Sequence, residues 1–237
     1  MEDFERVNEL RRERLRERKR QRQKQLMWYM ALCSSVVLIL LTAVAIGLKA
    51  NATDTEVASK PVVILKVEAP FVSEHLLTVN EYSRPGTELE KVKGVVVHYT
   101  ANPNTTAMQN RNYFEGLAES KITKASSHYI IGLAGEIIQC VPLSEIAYAS
   151  NQRNADTISI ECCIDNDAGK FNEETYEALV HLTAWLVGEY ELEIDDVIRH
   201  YDVTGKNCPK YFVEYESAWE DFKLDVEKYI KTHGVKQ

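Results

Sequence analysis

From Leu26 to Leu48 the chain runs 23 residues without a charged side chain, LMWYMALCSSVVLILLTAVAIGL. As a helix, a run of this length crosses a hydrocarbon core of about 30 Å. It therefore divides the chain into parts that must fold on opposite sides of it. Trp28 and Tyr29 stand at its start, where an aromatic belt would lie. Before it comes RRERLRERKRQRQKQ (11–25); after it, near the membrane, only Lys49 and Lys60 carry positive charge. The excess of basic residues on one flank orients such a helix, with residues 1–25 in the cytoplasm and everything after 48 outside. Ala50-Asn51-Ala52 has the A-x-A form of a cleavage site, so removal after Ala52 stays open. The run nevertheless exceeds the roughly 7–15 apolar residues of a signal peptide, and a retained single-pass anchor at 26–48 is the reading taken.

Charge separates the two parts as well. Residues 1–48 hold ten Lys/Arg against six Asp/Glu, whereas 49–237 hold 18 against 30. An acidic outer part argues against nucleic acid, whose binding rests on neutralising phosphates. Five cysteines are too few for a disulfide scaffold of this size, and no CxxC pair suggests a zinc ribbon. Residues 49–79 read as an extracellular spacer: NATDTEVASK is small and polar. PVVILKVEAP (61–70) is a short apolar stretch bounded by prolines, either an edge strand or an extended tether. The folded domain is expected over 80–237.

Within it, apolar runs and helical periods alternate. VVVH (95–98) is a buried strand, followed by a helix from about Thr106 to Ser120 whose Thr105/Thr106 start can cap free amides. SSHYIIGL (126–133) and GEIIQCVP (135–142) form a hairpin around Ala134-Gly135. In DTISIECCID (156–165), Ile158, Ile160 and Cys162 face one side; Ser159, Glu161 and Cys163 face the other. Asn172 is an N-cap for a helix reaching about Tyr190, with Leu179, Leu182 and Leu186 on its core face. Val197-Ile198-Arg199 is a strand, and Trp219, Phe222 and Val226 are the inner stripe of a last helix. Strands separated by helices, with some antiparallel pairing, imply an α/β domain with a single mixed β-sheet flanked by helices.

The chemistry concentrates in RHYDVTGKNCP (199–209), which puts His200, Lys206 and Cys208 within nine positions. A neutral imidazole and a thiolate are both zinc ligands, and a catalytic zinc takes three protein ligands plus water. The candidate for the third is His98, at the end of its apolar strand. Adjacent Cys162 and Cys163 point to opposite faces and cannot grip one ion together. Cys140 could pair with either of them.

The HYT strand end, SSHYIIG, ISIECC and HYDVTGKNCP, in this order from about Asn80 to Phe222, resemble the zinc-dependent N-acetylmuramoyl-L-alanine amidases. That family shares its fold with phage lysozyme-type amidases and peptidoglycan recognition proteins. The lead-in NEYSRPGTELEKV (80–92) resembles that of Gram-positive members. The resemblance implies His98, His200 and Cys208 as Zn2+ ligands, Glu161 as the catalytic base and Lys206 as the group meeting the oxyanion. In some relatives a Tyr precedes a His on the neighbouring strand; here Ser127 occupies that place, and the Tyr role is not carried to Tyr129. His128 reads as structural, and Asp202 could orient His200 or cap a turn. His75, His181 and His233 have no motif around them.

The resemblance implies a peptidoglycan hydrolase cutting the amide between N-acetylmuramic acid and L-alanine, and the charge-free run at 26–48 makes it a single-pass protein of the cell membrane. Its partner is peptidoglycan, reached without nucleic acid and without a second wall-binding module. A rival reading is a peptidoglycan-binding module of the same fold that cuts nothing. Such modules commonly lack the Cys ligand, and Cys208 is present.

Overall fold

The computed structural model describes residues 65–236. The basic segment at 1–25, the charge-free run at 26–48 and the first part of the spacer lie outside the described residues. Among those described, no helix is long and apolar enough to cross a membrane. The strands are β1 (Leu65–Lys66), β2 (Ser73–Glu74), β3 (Val95–Tyr99), β4 (Tyr129–Ile131), β5 (Ile137–Gln139), β6 (Ile158–Cys162), β7 (Val197–Arg199) and β8 (Val235–Lys236). The helices are α1 (Ala107–Ser120), α2 (Glu173–Glu189), α3 (His200–Thr204), α4 (Lys210–Glu214) and α5 (Glu216–His233).

Six strands form one sheet in the order β2-β5-β4-β6-β3-β7. Only β4 and β5, the expected hairpin, pair antiparallel; β2–β5, β4–β6, β6–β3 and β3–β7 are parallel. Central parallel strands are covered on both faces. Val95, Val96 and Val97 are accordingly all fully buried. On one face Val95, Val97, Ile158 and Ile160 pack with Leu179, Leu182 and Leu186 of α2 and Trp219, Phe222 and Val226 of α5. On the other, Ile130, Ile138 and Cys140 pack with Phe114 and Leu117 of α1.

Local signals set the helix starts. The Asn172 side chain accepts from Thr175 N–H, and Thr106 and Gln109 make a reciprocal capping box. Each satisfies amides that a helix start leaves without partners.

The segment 65–79, expected to be spacer, is part of the folded body. Strand β1 pairs with β8, β2 pairs with β5, and Val67 and Leu77 are buried. Two-residue strands are too short to show a period, and the partner of Leu65 is Lys236, at the far end of the chain. The four described cysteines, Cys140, Cys162, Cys163 and Cys208, are free and buried, so the possible pairing of Cys140 is not present. Cys162 packs into one core and Cys163 into the other, as strand alternation requires.

Candidate functional site

Strands β3, β6 and β7 run parallel, so their carboxyl ends lie along one edge of the sheet, where open α/β sheets place their ligands. His98 is the penultimate residue of β3, Glu161 the penultimate residue of β6, and His200 directly follows β7. Gly205 ends α3 in a left-handed conformation, φ 77°, that glycine adopts without steric cost. The chain then folds back: Cys208 N–H donates to Lys206 O at 2.7 Å, and Cys208 O accepts from Tyr201 N–H at 2.9 Å. That return brings the Cys208 side chain beside the two imidazoles.

His98, His200 and Cys208 each direct one donor atom into a group whose members lie within 4.8 Å of one another. Cys208 Sγ is 3.9 Å from His98 Nδ1. A tetrahedral centre with bonds of about 2.0–2.3 Å separates its ligand atoms by roughly 3.3–3.8 Å. The imidazole centroids are 4.7 Å apart at 62°. His98 Nε2 contacts Ser150 Oγ at 3.1 Å, and His200 Nε2 contacts Asn151 Oδ1 at 3.1 Å. His200 Nδ1 is buried without any hydrogen-bond partner.

Burial sets the charge state of these groups. Burial, then the neighbouring His200 and Lys206, hold His98 well below the ordinary imidazole range. Burial and Lys206 also lower His200. Both rings are thus neutral and able to ligate. Burial, then Glu161, pushes the Cys208 thiol up to about 12, against the lowering effect of the Tyr99 amide and Lys206. An orphaned, buried imidazole nitrogen beside a second imidazole and a thiol is a donor set that fits zinc.

Glu161 and Lys206 face the same cleft, about 350 Å³ in volume, together with Lys124, Tyr148 and Asn151. Burial raises the Glu161 carboxyl to about 8, partly offset by Lys206. One of its oxygens, Oε2, has no hydrogen-bond partner. Lys206 is exposed at the rim.

A family model described as N-acetylmuramoyl-L-alanine amidase matches residues 88–211, which include all five of these side chains. The chain belongs to that amidase family. It is 35% identical over 177 residues to N-acetylmuramoyl-L-alanine amidase CwlL of Bacillus licheniformis, covering 69% of this chain and 49% of that protein. It is 38% identical over 180 residues to the amidase BlyA of Bacillus subtilis (strain 168), covering 67% of this chain and 47% of that one. The chain thus spans about half the length of these curated relatives. The solved structure of PlyL superposes with a TM-score of 0.58 at 23% identity, covering 66% of this chain and 97% of PlyL, which shows the shared fold.

The other sequence candidates fall outside this cleft. His128 is buried among protein partners: its Nδ1 accepts from Ser159 N–H at 3.0 Å, and its Nε2 donates to Glu145 O at 2.9 Å. Tyr129 packs into the core on the opposite face of the sheet. Asp202 does not orient His200; its carboxylate accepts from Arg199 N–H and from the Arg199 guanidinium. His75, His181 and His233 are not among the residues lining the cleft.

Three contributors went unnoticed in the sequence. Ser150 and Asn151 touch the two imidazoles from a turn between β5 and β6. Arg199 is 6% exposed and joins Asp202, Phe212 O and Glu216 while lying over Trp219. The first two look like ordinary turn formers in SNQRN. A buried Arg next to His200 was the one signal that could have been found, since such a charge demands partners.

Proposed function

We propose that the protein is a zinc-dependent amidase hydrolysing the bond between the N-acetylmuramic acid lactyl group and the L-alanine of peptidoglycan. The observation that carries the reading is the convergence of His98, His200 and Cys208, with an unpartnered His200 Nδ1, in a cleft shared by Glu161 and Lys206. His98, His200 and Cys208 would hold the ion. A zinc ion so bound supplies Lewis acidity toward the substrate carbonyl and a water of lowered pKa.

The chain's own groups do the rest. Glu161, on the strand beside His98, takes the proton of the attacking water at its carboxylate and returns it to the leaving alanine nitrogen. A carboxyl raised to about 8 by burial is a competent proton carrier near neutrality, and a bound dication would draw it back toward the ionised form. Lys206 brings its ammonium to the carbonyl oxygen as negative charge develops there.

The charge-free run at 26–48 and its basic flank support a retained single-pass anchor, with the amidase domain outside the membrane. Tethering would concentrate the domain at wall lying near the membrane. Protease shaving of intact cells, followed by blotting for each end of the chain, tests this. Protection of the domain would refute the orientation.

Incubation with purified sacculi tests the activity. New L-alanine amino termini mean hydrolysis, whereas retention on the sacculi without release would leave a binding module.

A further inference from the structure

The hydrogen bonds of the two imidazoles converge on a single turn, although the residues concerned are 52 and 49 positions apart in sequence. Ser150, fully buried, meets His98 Nε2, and the adjacent Asn151 meets His200 Nε2. We propose that the Ser150–Asn154 turn is the positioning device of the metal centre. In this role Ser150 and Asn151 hold both rings in the tautomer that leaves each Nδ1 lone pair free for the ion. The inference rests on reading His98, His200 and Cys208 as ligands.

The tautomer follows from partners. An amide oxygen only accepts, so a ring nitrogen bonded to Asn151 Oδ1 must carry the proton. The opposite tautomer would place an N–H at His200 Nδ1, a buried atom without an acceptor. An unsatisfied buried donor is costly. At His98 the Ser150 hydroxyl can take either role, and with Nε2 protonated it accepts, leaving Nδ1 facing Cys208 Sγ at 3.9 Å.

The turn is itself held. Asn154 Oδ1 accepts from Ala149 N–H at 3.0 Å and from Ser150 N–H at 2.6 Å. Gln152 Nε2 donates to Val203 O at 3.1 Å, on the helix that begins with His200. Asn151 sits at φ 53°, the left-handed region that asparagine tolerates better than most residues. Rings fixed through Nε2 give up their rotational freedom before an ion arrives. Groups bonded to ligating histidines in this way typically change metal affinity 10–100-fold.

The positive φ dictates the test. Asn151→Gly removes the carboxamide without backbone strain, and Asn151→Asp keeps an accepting oxygen where the side chain is needed. Zinc affinity of the full chain in detergent is measured by chelator competition, with KM and kcat at saturating zinc and Tm as a folding control. Asn151→Gly and Ser150→Ala should each weaken zinc about 10–100-fold. Asn151→Asp should restore binding, and saturating zinc should return turnover with KM unchanged. Affinity within twofold of wild type, or a raised KM with normal zinc binding, would overturn the proposal and make Asn151 a substrate contact. Equal loss in the Gly and Asp variants would overturn it in favour of a backbone effect. Absence of zinc binding by the wild-type chain would instead defeat the metal reading on which this one stands.

Discussion

His98 and Glu161 are register partners on the adjacent parallel strands β3 and β6. Neighbouring strands lie about 4.8 Å apart, and side chains at paired positions project from the same face. Their predecessors Val97 and Ile160, paired likewise, point into the opposite core. A one-residue slip of either strand would bury the imidazole or the carboxylate among α2 and α5 side chains. The imidazole and the carboxylate are therefore set at a fixed separation by the sheet rather than by a loop.

This separation lets the two roles be pulled apart. Glu161→Gln should keep zinc stoichiometry at the wild-type level while kcat falls by about 10²–10⁴-fold, the usual worth of a general base. Elemental analysis alongside turnover on sacculi checks both. Undiminished turnover would remove Glu161 from the chemistry.

The same carboxyl predicts a pH dependence of stability in metal-free protein. Burial raises it from 4.5 to about 8, so between those values the folded chain keeps a proton that the unfolded chain has released. Stability from this group is complete below the lower value, declines as pH rises between the two and is lost above the upper one, by on the order of 5 kcal/mol in total. Urea unfolding of wild type and Glu161→Gln at intervals from pH 5 to 9 isolates the contribution. Parallel profiles would contradict it.

Zinc binding should release protons. The Cys208 thiol, pushed up to about 12, is protonated at neutral pH without metal, yet only the thiolate ligates. Calorimetry in two buffers of different ionisation enthalpy should show at least one proton released per zinc at pH 7. Affinity should fall roughly tenfold per unit of acidification. Buffer-independent heats would mean that the sulfur is not a ligand.

Arg199 offers a test of the support beneath the site. Its guanidinium donates to Phe212 O at 2.9 Å, to Glu216 at 2.7 Å and to both Asp202 oxygens, tying β7 and α3 to α4 and α5. Lysine cannot reproduce that fork. Arg199→Lys should cost about 2 kcal/mol, because the buried Phe212 carbonyl loses its charged donor while the more exposed Asp202 and Glu216 regain water. Denaturant midpoints measure this, and a change under 0.5 kcal/mol, the usual scale of a surface substitution, would show the hub to be dispensable.

The elements legible in the sequence were those written in short-range pattern. The Val95–Val97 run marked a covered strand, Asn172 and Thr106 marked helix starts, and the alternation through Ile158–Cys163 put Glu161 on the face opposite Ile160. His200 and Cys208 were found because one short loop carries both. The pairing of Leu65 with Lys236 was not visible, nor were the contacts of Ser150 with His98 and of Asn151 with His200.

By itself, then, the sequence determined the strand and helix periods, the caps and the types of donor available, since each depends on neighbours within a few positions. Tertiary structure alone decided which serine and which asparagine meet the imidazoles, where the folded body begins and what surrounds Arg199. Apart from the local Arg199–Asp202 pair, those contacts join residues 13 to 171 positions apart. They exist only after the strands have been placed side by side, an arrangement that no local pattern specifies.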